Sequence, residues 1–79
     1  MKDRHSDNYY FDIIRNNIKK YRTIRNLTQQ QLADKCGVSM NYIAKIESKK
    51  MQRGFTIVLL GRIADALEID IKNLFDNIE

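Results

Sequence analysis

The sequence predicts an all-α fold, a compact bundle of five short helices, on three observations. Apolar residues recur at helical spacing along the chain, as in Ile14, Ile18, Tyr21 and again in Leu60, Ile63, Ala64, Leu67. A hydroxyl or carboxylate residue stands immediately before each of four expected helices, at Thr28, Ser39, Thr56 and Asp70, where a helix start wants a side-chain acceptor for its free N–H groups. Strand signals are missing: no run alternates for long, no Asn-Gly or Asp-Gly pair marks a hairpin, and the 79 residues contain no Pro. At about 100–200 residues per domain, the chain is one domain.

The first helix is expected over 11–25, carried by Ile14, Ile18 and Tyr21 and stopped at Asn26. Residues 1–10 lack strong periodicity and are expected to form an N-terminal tail or an extra helical turn in which Tyr9 and Tyr10 pack back, with the domain proper at 11–79. The second helix is expected over 29–36. Thr28 precedes it and Gln31 occupies the third helical position, a capping-box pattern, while Gly37 ends it. Ser39 caps a third helix over 40–47. A polar connection from Ser48 to Phe55, containing Gly54, leads to Thr56 and a fourth helix over 57–67. Asp70 precedes a fifth over 71–77.

Composition excludes several classes of function. One Cys forms no internal disulfide, and one Cys with one His supplies neither a zinc set nor a nucleophile–base pair. Cys36 is expected as a small core filler and His5 as an unremarkable tail residue. The longest uncharged apolar run, Phe55 to Leu60, is too short to cross a membrane. No apolar segment follows the charged N-terminus, so a cytoplasmic protein is expected. Neither metal nor cofactor is expected, and no small-molecule ligand. The charge is unevenly spread: residues 13–53 hold ten bases against Asp34 and Glu47, whereas 1–12 and 54–79 are net acidic. A basic middle segment suggests a face turned toward a polyanion.

The second and third helices are two turns each and are joined by Gly37-Val38-Ser39, the layout of a helix-turn-helix. Ala33 is small where the helices approach, Gly37 can take a positive φ, and Leu32, Val38, Ile43 and Ile46 supply an apolar wedge. Met40, Asn41, Ala44 and Lys45 then point outward on a helix able to enter a major groove about 12 Å wide. The stretch Leu27-Thr28-Gln29-Gln30-Gln31-Leu32-Ala33, with Gly37-Val38-Ser39, Tyr42-Ile43, Ile46-Glu47 and Ile63-Ala64-Asp65-Ala66-Leu67, resembles the lambda-repressor-like, Cro/C1-type helix-turn-helix domains. Members of that family usually carry Gly soon after the Glu and Pro near the start of helix four; here Lys49 and Phe55 stand there.

The resemblance implies a transcriptional regulator, a repressor, that binds a two-fold-related double-stranded operator as a homodimer with the third helix in the major groove. It implies base reading by Met40, Asn41 and Lys45: Asn can bridge adenine N6 and N7, Lys can donate to guanine O6 and N7, and Met suits a thymine methyl. It implies phosphate contacts from Gln29, Tyr42, Lys50 and Arg53, with Lys19, Lys20 and Arg25 as further candidates. It implies a structural ion pair between Arg22 and Glu47 linking helices one and three. An alternative is an antitoxin-type protein or a restriction–modification controller, acting through a protein partner or as an activator.

For the dimer, Ile71, Leu74, Phe75 and Ile78 fall on one short terminal helix. Two turns bury one stripe, and four large apolar residues exceed it, so the remainder is expected to form an exposed association patch centred on Leu74 and Phe75. Such a contact would set the two reading helices about 34 Å apart.

Overall fold

The computed structural model describes residues 7–48 and 55–76, and all regular structure among them is helical. Four α-helices, α1 (Asp7–Ile24), α2 (Gln29–Cys36), α3 (Met40–Glu47) and α4 (Ile57–Leu67), precede a short 3-10 helix, Ile71–Phe75. The caps follow from residue chemistry. Thr28 Oγ1 accepts from Gln31 N–H at 3.0 Å and Gln31 Oε1 accepts from Thr28 N–H at 2.8 Å, a complete capping box. Ser39 Oγ and Thr56 Oγ1 each accept from the N–H three residues on, both at 3.1 Å. Asn26, Gly37 and Glu68 end α1, α2 and α4 in the left-handed region, with φ of 58°, 73° and 60°. A Cβ on Gly37 would meet nothing within 4 Å, so the turn requires its backbone freedom and not its small size.

One core joins the five elements. Ile18 of α1, Leu32 and Ala33 of α2, Ile43 and Ile46 of α3 and Ile63 of α4 are fully buried within it. Val38 packs against its edge. The start of α1 meets the start of α4 where the Phe11 and Phe55 rings stack edge-on, centroids 5.6 Å apart. The end of α1 meets the end of α4 where Arg25 Nε donates to Leu67 O at 2.8 Å. α1 thus touches the α4 segment near both its ends, and α2 packs on both α3 and α4.

α1 runs from Asp7, so of the two alternatives for the residues before 11 it is helix that continues over 7–10. Two features differ from expectation. The segment after Asp70 is a 3-10 helix of five residues and not an α-helix over 71–77. Leu74, expected at the centre of a dimer contact, is instead fully buried in its own chain. With three residues per turn, Ile71 and Leu74 share the inward face, and Phe75 falls outside it, 47% exposed. Asn17, itself buried, fixes this arrangement: its Nδ2 donates to Leu74 O at 2.9 Å and to Asp76 O at 2.8 Å. Ile78, Lys50, Arg53, Gly54 and His5 lie outside the described residues.

Candidate nucleic-acid interface

Residues 40, 41, 44 and 45 recur at helical spacing on the side of α3 away from Ile43 and Ile46. Met40, Asn41 and Lys45 are exposed and Ala44 is half-buried. The face is therefore a thin layer of amide, ammonium and thioether groups over a rigid apolar wedge.

The end of α3 is anchored to α1 by a two-pronged ion pair. Arg22 Nε lies 2.7 Å from Glu47 Oε2 and Arg22 Nη2 lies 3.0 Å from Glu47 Oε1. The two side chains are only 15% and 4% exposed. Arg22 Nη1 also donates to Leu27 O at 2.7 Å, so the guanidinium ties together the end of α1, the approach to α2 and the end of α3. A planar fork meeting a carboxylate in this way fixes orientation as well as distance.

Gln29 joins the same group. Its Nε2 donates to Glu47 Oε1 at 3.1 Å, so Glu47 holds the first residue of α2 and Arg22 at once. Gln29 keeps its carbonyl oxygen and a second N–H for an outside partner. Lys19, Arg22, Gln29, Ala44, Glu47 and Ser48 line a notch of about 260 Å³ where α1, α2 and α3 converge. The notch places an exposed lysine beside the N-terminus of α2, where free N–H groups and the helix dipole favour an anion.

The other expected phosphate contacts divide. Lys19 is exposed beside the notch. Lys20 is exposed, with its ammonium 4.9 Å from the centroid of the Tyr21 ring. Tyr42 is half-buried against the core. Arg25 is exposed and has a structural job as well: its Nε and Nη2 donate to Leu67 O and Glu68 O at the end of α4.

Two residues beside the site escape a sequence reading built on apolar periodicity and charge. Asn17 and Arg15 are both buried on α1. Their signal is a polar residue set within the Ile14–Ile18 stripe, which requires an internal partner. Cys36 is buried near Arg62 O, 3.9 Å away. Burial pushes its thiol up, and the Arg62 charge opposes the shift only in part. Among the described residues no cluster of His, Cys, Asp and Glu could hold a metal ion, and no helix is long and apolar enough to cross a membrane.

A helix-turn-helix family model matches residues 18–74. The chain belongs to the Cro/C1-type helix-turn-helix family. It is similar to the control protein C.SmaI of Serratia marcescens, 36% identical over 63 residues, covering 80% of this chain and 73% of that protein. It is similar to an HTH-type transcriptional regulator of Methanocaldococcus jannaschii, MJ0272, at 37% over 62 residues, 78% of this chain and 91% of that one. Its fold matches the restriction–modification controller protein C.AhdI of Aeromonas hydrophila with a TM-score of 0.74 at 28% identity, over 82% of this chain and 96% of that one. This helix-turn-helix protein is a DNA-binding transcriptional regulator.

Proposed function

We propose that the protein represses transcription from the cytoplasm by binding a two-fold-related operator as a homodimer, with α3 in the major groove. The observation that carries this is the exposed Met40–Asn41–Lys45 face on a helix whose far side is locked by the Arg22–Glu47 pair. A face that reads base edges must be both polar and fixed, because a bidentate base contact is lost with small displacements. Asn41 and Lys45 read bases; Met40 touches a thymine methyl. Gln29 and Lys19 take phosphates at the notch, joined by Tyr42 and by Lys50 and Arg53 of the basic segment.

A helix of eight residues contacts few base pairs, so discrimination calls for two copies. The exposed apolar residues support a self-contact built on Phe75 and the half-buried Ile71, with Ile78 following in sequence. Ile57 and Val58, 67% and 62% exposed on the first turn of α4, are further candidates that helical periodicity alone did not single out. A second reading is a controller protein of a restriction–modification system, acting as an activator or through a protein partner, favoured by the likeness to C.SmaI and C.AhdI.

The test is selection of duplexes from a random library by the purified protein, followed by sequencing. Enrichment of one motif with two-fold symmetry is the expected result; pools that stay random after repeated selection would overturn the reading.

A further inference from the structure

We propose that Arg15 is a second positioning residue for α3, and that base discrimination depends on it. The proposal rests on the DNA-reading function given above. Arg15 lies seven residues before Arg22, two turns along α1 and on the same face. Both guanidiniums reach the last turn of α3, by different means. Arg22 grips the Glu47 carboxylate, whereas Arg15 Nη1 donates to the main-chain carbonyl of Ile46 at 3.3 Å. A grip on a side chain leaves the helix free to pivot through the rotatable bonds of Glu47. A bond to a main-chain carbonyl has no such freedom, so the two attachments together fix both the tilt and the rotation of α3.

Arg15 is 4% exposed. Desolvating a guanidinium is unfavourable, and an apolar residue of similar volume would fill the space without that penalty. The charge is met by two things. Asp12 Oδ1 lies 3.2 Å from Arg15 Nε, and the C-terminal carbonyls of α3 present the negative end of its dipole. Nε nevertheless has no aligned hydrogen-bond partner. Among the described residues the carbonyl of Ile46 is therefore the directional contact of this buried group, and Asp12 supplies counter-charge.

The leverage on reading is large. α3 is eight residues long, about 12 Å at 1.5 Å per residue, so a tilt of about 10° moves its far end by about 2 Å. A hydrogen bond to a base edge survives a change of only about 0.5 Å. Lys45 adjoins the anchored carbonyl and Asn41 sits one turn away, so both depend on how that last turn is held.

The experiment compares wild type, Arg15→Met, Asp12→Asn and Leu60→Ala below every melting temperature. It measures affinity for the selected duplex and its single-base-pair variants across a range of salt. Arg15→Met keeps the stem and removes the fork; it is expected to lose about tenfold in discrimination while the slope of log K against log salt stays unchanged, because the phosphate contacts remain. Asp12→Asn, at a partly exposed carboxylate, is expected to lose about threefold and serves if Arg15→Met fails to fold. Leu60→Ala, a core truncation in α4, is expected to lower the melting temperature and leave discrimination intact. Discrimination within twofold of wild type in the folded Arg15 and Asp12 variants would overturn the proposal alone. A wild type without base preference would overturn the function with it.

Discussion

Glu47 and Arg22 each make three hydrogen bonds at the site: the two oxygens of Glu47 accept from both prongs of Arg22 and from Gln29. Truncating Glu47 strands a guanidinium that is 15% exposed and frees the first side chain of α2. Glu47→Ala is expected to destabilise the fold by about 3 kcal/mol, the scale for breaking one side of a largely buried pair. Lys72→Ala, at an exposed position, should stay within about 0.5 kcal/mol of wild type. Urea unfolding of the two variants checks this; equal midpoints would mean that the pair contributes little. The residue types Arg22 and Glu47 were legible in the sequence through the family pattern. Gln29 as a partner of Glu47 was not, because helical spacing says which residues face outward but not which neighbour a long amide reaches.

At the scale of elements, the starts of α2, α3 and α4 and the stop of α2 were legible because capping is local chemistry, settled within four residues of Thr28, Ser39, Thr56 and Gly37. The 3-10 segment was not. The carbonyls of Leu74 and Asp76 at its end are taken by Asn17, 57 residues away from Leu74, a long-range contact that local spacing does not show. Leu74 itself lies in the core and not on the expected surface. The end of α4 holds a further consequence. Glu68 occupies the left-handed region at φ 60°, which disfavours a residue with a Cβ by about 1–2 kcal/mol. Glycine removes that strain and adds freedom to the unfolded chain, worth about 0.5–1 kcal/mol in the other direction. Glu68→Gly is thus expected to raise stability by about 0.5 kcal/mol, seen as a small increase in melting temperature. A decrease would mean that the Glu68 side chain makes contacts that outweigh the strain.

Across the whole molecule, the basic middle segment contributes both α2 and α3, whereas the acidic C-terminal segment contributes α4 and the 3-10 helix. The proposed division of labour is DNA on the first and a second copy on the other. Phe75→Glu places a charge on the exposed ring position at this end, and sedimentation at micromolar concentration is expected to show a dimeric wild type and a monomeric variant. A variant that stays dimeric would move the self-contact elsewhere, with Ile57 and Val58 the next positions to charge. The central claim, that α3 reads bases, is tested most directly by the affinities of wild type, Asn41→Ala and Lys45→Ala for the selected duplex and each of its single-base-pair variants. Each substitution is expected to erase about 1–3 kcal/mol of preference at one base pair and leave the other positions unchanged. Variants that bind more weakly to every duplex by the same factor, with all preferences intact, would show that these side chains hold phosphates and would contradict the account.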